Sequence, residues 1–221
     1  MSTAVDEIGE VFVYTPIHAS RDEQNEGFLP NSVSSDVIHV RVDPSVTSIP
    51  DRAFYGRKKL TEVELCEGLV EIGDESFGWC DHSITKINIP TSLRRVCDYA
   101  FTCSLRCLVR LHDGIESIGS GAFNGCFFTN FRVPPLITSI SMGIFSHCRS
   151  MFSLELPHNA TEINKDAFYY CICLRNVAFP PDAVFDDDIF GEQSFFDDVT
   201  DLQKLFGSIE CKNCKRAAAS I

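Results

Sequence analysis

Eleven cysteines and six histidines are the residues of this 221-residue chain with the most chemical reach, and their spacing decides how much of it is open to them. Cys80, Cys126, Cys148 and Cys171 lie 46, 22 and 23 residues apart, multiples of one near-constant interval. Ligating one zinc ion needs sulfurs about 2.3 Å from the metal, whereas segments stacked about 4.8 Å apart hold most of such a column out of reach of a single ion. These thiols, with Cys103 displaced by one position in the same column, are therefore expected to fill a repeating interior. Cys211-Lys-Asn-Cys214 has the C-x-x-C spacing, but a zinc site needs two more ligands and a thioredoxin-type site needs a helix N-terminus in a βαβ unit. Lys212, Lys215 and Arg216 favour a thiolate there, so a thiol redox or zinc role of this pair is the weakest of three functional readings. The acidic stretch from Asp182 to Asp201 echoes a calcium loop at Asp186-x-Asp188-x-Phe190-Gly191, but Phe190 stands where an oxygen ligand belongs. His18, His39, His82, His112, His147 and His158 fall at different depths along the chain and are expected to be exposed. There is no Gly-x-Ser-x-Gly elbow, and Gly119-Ser-Gly121-Ala-Phe-Asn-Gly125 lacks the Gly-Lys-Ser/Thr ending of a phosphate loop. No catalytic residue, metal or cofactor is expected.

The elements that would carry these residues come from self-similarity. A small or aliphatic residue precedes Phe at Phe54, Phe77, Phe101, Phe123, Phe145 and Phe168, in steps of 23, 24, 22, 22 and 23. Five residues before each Phe stands Ile49, Ile72, Val96, Ile118, Ile140 or Ile163, and three before that Val46, Leu69, Leu93, Ile115, Ile137 or Ala160. Further upstream, pairs at i, i+2 spacing (Val40 and Val42, Val63 and Leu65, Ile87 and Ile89, Val109 and Leu111, Phe131 and Val133, Leu154 and Leu156) read as short strands. One unit of this length cannot bury its apolar side alone, so neighbours must stack into a right-handed solenoid with short parallel strands along one face.

Net charge is −12, from 19 bases and 31 acids. A field of that sign opposes nucleic acid and anionic lipid, so neither is expected as a partner. No apolar run is long enough for a spanning helix, and Met1 to Glu10 lacks the basic and apolar blocks of a secretion signal. A cytoplasmic protein with reduced thiols is the expectation.

The pattern strand-Pro-x-x-aliphatic-x-x-Ile-x-x-x-Ala-Phe-x-x-Cys-x-x-Leu, clearest from Val109 to Cys126 and from Leu154 to Cys171, resembles the BspA-like (Treponema-type) leucine-rich repeats over residues 37 to 190. The resemblance implies a leucine-rich-repeat solenoid of six to seven units, a binding scaffold without catalytic residues, and in secreted members a surface adhesin. The expected organisation is an acidic N-terminal segment over 1–36 with a capping strand at Val11 to Tyr14, the solenoid over 37–191, an amphipathic capping helix over 192–207 and a flexible tail over 208–221. The helix is read from the spacing of Phe195, Phe196, Val199, Leu202, Leu205 and Phe206.

One residue of each strand points outward between its two buried neighbours: Arg41, Glu64, Asn88, Arg110, Arg132, Glu155 and Ala178. Arg41 should pair with Glu64 and Arg132 with Glu155 across adjacent rungs. Arg110 beside Arg132 is a like-charge pair that no acid in the column fully relieves. With His112, Lys86 and Asn130 in the flanking columns, these arginines form the candidate partner-binding site, a small basic island for an acidic protein segment. The expected function is a non-catalytic protein–protein interaction scaffold; the alternative is a cell-surface or secreted adhesin-like repeat protein. The register makes Phe123 a central ladder ring, so Phe123→Ala should lower the unfolding free energy by about 3 to 5 kcal/mol. Chemical denaturation measures this, and a loss below about 1 kcal/mol would show the register to be wrong.

Overall fold

The computed structural model describes residues 11–15, 33–107, 109–186 and 189–190. Most of the acidic segment 1–36, the helix expected over 192–207 and the tail over 208–221 with Cys211 and Cys214 lie outside the described residues. Within them the chain is a parallel β-solenoid, with two strands in most turns. The first strand column contains β1 (Val11–Tyr14), β2 (His39–Val42), β4 (Glu62–Glu64), β6 (Lys86–Ile87), β9 (Asn130–Arg132), β11 (Ser153–Glu155) and β13 (Asn176–Ala178). The second contains β3 (Ser48–Ile49), β5 (Glu71–Ile72), β7 (Arg95–Val96), β8 (Ser117–Ile118), β10 (Ser139–Ile140), β12 (Glu162–Ile163) and β14 (Val184–Phe185). Registers match the repeat columns: Val40 pairs Val63, Ile49 pairs Ile72, and Leu154 pairs both Phe131 and Val177. The capping strand forms, Val11 to Tyr14 pairing His39 to Val42 residue for residue.

Each unit has an interior phenylalanine, and the rings form one continuous pile. Phe54, Phe77, Phe101, Phe123, Phe145 and Phe168 are fully shielded, or within a percent of it, with centroids 4.9, 5.3, 5.8, 6.2 and 6.3 Å apart and near-parallel planes. Tyr14 closes one end, 4.9 Å from Phe54. Phe190 extends the other, 5.8 Å from Phe168. The seventh unit, which on the sequence dissolves into Asp186 to Asp188, therefore still delivers its ring at Ile189-Phe190. Burial of so many aromatic faces is the main stabilisation available to units this short.

A third ladder joins the Ala-Phe turns. Tyr99, Phe101 and Cys103 donate their N–H groups to the carbonyls of Ser120, Ala122 and Asn124 at 2.9, 2.9 and 2.8 Å. Gly121, Phe123 and Gly125 do the same to Met142, Ile144 and Ser146. In the first five units the donors are the residues at −2, 0 and +2 from the Phe, each pointing to the next unit, and in the sixth Phe168 does the same to Ile189. To aim them so, the −2 and +2 residues adopt left-handed backbone in all six units: Arg52 and Gly56, Glu75 and Trp79, Tyr99 and Cys103, Gly121 and Gly125, Gly143 and His147, Asp166 and Tyr170. Eight of these twelve positions are not glycine, and each such residue costs roughly 1 to 2 kcal/mol.

The fourth unit departs from the plan. Val109 and Leu111 are buried as expected, but the strand expected there is not formed, and the first sheet splits into β1-β2-β4-β6 and β9-β11-β13. The second sheet splits nearby, between β8 and β10, where Ser141 Oγ rather than its N–H reaches the Ile118 carbonyl at 2.7 Å. The cause is volume. Phe131 replaces an aliphatic residue and, with Phe128, wedges between Phe123 and Phe145, its centroid 5.0 Å from each. On the other side Cys107 is half-buried against the core. The turn ladder passes through this point unbroken.

Two glycines separate backbone strain from crowding. Gly143 is left-handed (φ +59°) with no atom nearer than 3.9 Å to a built Cβ, so Gly143→Ala should cost about 1 kcal/mol. A Cβ on Gly119 would lie 2.6 Å from the Asp98 nitrogen, so Gly119→Ala should cost about 2 to 3 kcal/mol by displacing main chain. Urea unfolding of the two variants checks the order.

Candidate functional site on the sheet face

The outward column of the first sheet is where unit geometry turns into surface chemistry. Alternation along each strand sends Arg41, Glu64, Arg132 and Glu155 to solvent, and parallel register sets like positions beside each other. Arg41 Nε donates to Glu64 Oε2 at 2.7 Å, as the column implies. Arg132 Nε lies 3.5 Å from Glu155 Oε1. Asn88 turns its amide back along the ladder, donating to the Leu65 carbonyl at 2.7 Å and accepting from the Leu65 N–H at 2.8 Å.

The expected basic island is smaller than the sequence suggests. Arg132 is not left in an unrelieved like-charge pair, because Asp113 curls back from the turn after the fourth unit's strand position and accepts from Arg132 Nη1 at 2.6 Å. This bond, with Glu155 nearby, raises the Arg132 pKa and holds its charge neutralised. Lys86 hydrogen-bonds Glu62 across β4 and β6. His112 is half-buried rather than outward: its Nδ1 accepts from the Gly114 N–H at 3.1 Å, and its Nε2 is shielded without a partner. Asn130 is exposed and bonds Thr129 Oγ1 at 3.1 Å. Arg110 alone of the five is an exposed cation with no ion pair among the described residues, and Arg106, four residues earlier, shares that condition. Both belong to the stretch where the first sheet is interrupted. His39, His82 and His147 are half-buried too, which corrects the expectation of exposure for them.

Inside, the thiol column has a definite hydrogen-bonding role. Cys80, Cys126, Cys148 and Cys171 each direct Sγ to the carbonyl of the preceding unit's ring residue, Phe54, Phe101, Phe123 and Phe145, at 3.3, 3.2, 3.1 and 3.0 Å. In the third unit the place belongs to Ser104, which donates to the Phe77 carbonyl. Cys103 is only half-buried and takes the left-handed +2 position, so the displaced column position expected of it is corrected. The first unit has Arg57 there, with Nη1 on the Tyr55 carbonyl at 3.0 Å.

Burial pushes the Cys80 thiol up to about 11 and Cys126 and Cys171 up to about 12, with Cys148 also well above its ordinary value. The folded chain thus keeps these protons at pH values where an unfolded chain, titrating near pH ~8.5, releases them. More protons on the folded state means that stability is unaffected at lower pH and falls as pH rises above about 8.5. Cys126→Ser, which copies Ser104, should keep the fold and flatten that alkaline decline by about 1.4 kcal/mol per pH unit. Unfolding curves from pH 8 to 11 measure it.

The chain matches the model of the BspA type leucine rich repeat region over residues 32–151 and 70–197, in six copies. No curated protein matches it in sequence. Among solved structures it is similar to a leucine-rich repeat protein from Bacteroides ovatus, with 28% identity and a TM-score of 0.54 over 68% of this chain and 48% of that one. It therefore spans about half the length of that protein. It is similar in fold to the leucine rich repeat protein of T. pallidum, with 19% identity and a TM-score of 0.61 over 81% of this chain and 77% of that one. A leucine rich cell surface protein from Faecalibacterium prausnitzii gives 24% identity and a TM-score of 0.50 over 70% and 51% of the two chains. With the family model covering most of the chain, and ring pile, strand columns and turns repeating in its register, the protein belongs to the BspA type leucine-rich repeat family.

Proposed function

We propose that this protein is a non-catalytic interaction scaffold whose sheet face receives an acidic protein segment at Arg110. The observation that carries the reading is charge pairing along the face. Arg41, Lys86 and Arg132 are each bonded to a carboxylate of a neighbouring rung or turn, whereas Arg110 and Arg106 have no such partner among the described residues. Exposed cations on a chain of net charge −12 are a local reversal of the overall field, and an arginine offers a carboxylate two parallel N–H donors. The interrupted ladder around residues 109–111 adds main-chain groups outside any strand pairing, next to the same side chains. We place the protein in a reducing compartment, because its column thiols serve as hydrogen-bond donors to carbonyls.

Affinity capture from native lysate with quantitative mass spectrometry tests the reading, with binding then measured on the purified partner. Arg110→Glu should lose the specific partner, with affinity down about tenfold or more, as for truncation of a central interface arginine. Arg52→Glu, on the turn side and away from the sheet face, should retain it. A partner held equally by Arg110→Glu and the parent chain would remove this face from consideration.

A further inference from the structure

At the opposite end of the same face, three side chains from two adjacent strands converge in a way that the repeat pattern does not require. His39 is on β2, and Glu62 and Glu64 are on the paired strand β4, with His39 directly opposite Glu62 in register. His39 Nε2 lies 3.1 Å from Glu64 Oε1 and 3.9 Å from Glu62 Oε1, and one oxygen or nitrogen of each residue falls within 4.8 Å of the others. We propose that His39, Glu62 and Glu64 form a binding site for a zinc-class divalent cation, clamping the first two rungs that follow the capping strand.

Ligand chemistry and spacing support this together. Imidazole nitrogen and carboxylate oxygen are both zinc ligands at about 2.0 to 2.2 Å, and in a tetrahedron such atoms stand about 3.3 to 3.6 Å apart. The two measured separations from His39 bracket that range. His39 Nε2 is shielded from solvent and lies within reach of both carboxylates, nearer to Glu64 than to Glu62. A half-buried imidazole nitrogen set against two carboxylate oxygens is a donor set that a divalent cation can share.

The surrounding charges set the strength. Arg41 takes Glu64 Oε2 and leaves Oε1 toward His39. Lys86 competes directly, because it bonds the same Glu62 Oε1 that faces His39. A cation must displace this ammonium, which weakens its affinity. Three protein ligands leave a fourth position for water or for a carboxylate from outside. The site is independent of Arg110, more than one unit away along the array.

Isothermal titration of zinc into the full chain with Cys211→Ser and Cys214→Ser, which removes the tail dithiol, should read one bound ion. Adding His39→Ala should weaken binding by about tenfold or more, since even loss of an outer-shell partner has an effect on this scale, with the circular dichroism spectrum unchanged. Adding Lys86→Met instead should tighten binding several-fold by freeing Glu62, a gain that a damaged fold does not produce. Cobalt in place of zinc should give tetrahedral visible bands without sulfur charge transfer. Absence of binding, binding that survives His39→Ala, or a cobalt–sulfur band in the stoichiometric complex would overturn the assignment.

Discussion

Every turn of this solenoid must hide a phenylalanine ring, and a ring of that size is hidden on both faces only by the rings of the turns before and after it. Most other features follow from meeting that condition at an interval of 22 to 24 residues. The strand columns flank the pile with Val, Leu and Ile, and a small residue before five of the six Phe residues, Ile144 being the exception, lets the chain bend closely around the ring. The left-handed residues at −2 and +2 are part of the same solution. Their cost is tolerated in non-glycine residues because each buried ring contributes more, on the order of 3 kcal/mol or above.

The fourth unit shows which of the three ladders can yield. Two extra rings, Phe128 and Phe131, pack against Phe123 and Phe145, and both sheets lose continuity nearby. The turn ladder keeps all of its bonds at the same place. Aromatic burial and the turns are thus retained at the expense of strand pairing, and the resulting interruption coincides with the unpaired arginines. The surface proposed for function is in this sense a by-product of how the interior accommodates volume.

Much of this was legible in the residues. Six aligned columns were enough to assign the inward and outward residues and the Arg41–Glu64 and Arg132–Glu155 pairs, because side-chain alternation and parallel register follow from geometry alone, and the apolar stretch Val11 to Tyr14 marked the capping strand. Four features resisted. Asp113 reaches Arg132 from a turn, and no column lists a turn residue beside a strand residue. Ser104 replaces Cys103 because the hydroxyl makes the same bond to a carbonyl, which is visible only by counting three residues from Phe101 instead of looking for sulfur. His39 and Glu62 share a column with Lys86 one step before the first buried strand residue. The flanking column that supplies Lys86 and Asn130 also holds this imidazole and carboxylate, and attending to its cation and amide alone leaves them apart. The left-handed turn positions were hidden because glycine marks only four of the twelve.

The turn ladder has a direction: at each of the first five junctions a unit gives three N–H donors forward to the next, so these junctions are chemically alike. A unit inserted or deleted between two others leaves donor and acceptor matched on both sides, and no compensating change is needed elsewhere in the chain. Array length is therefore free to drift under selection while the N-terminal end, where Tyr14 and Arg57 occupy places that most interior units give to Phe and Cys, is not. Such a molecule can change its reach without relearning how to fold.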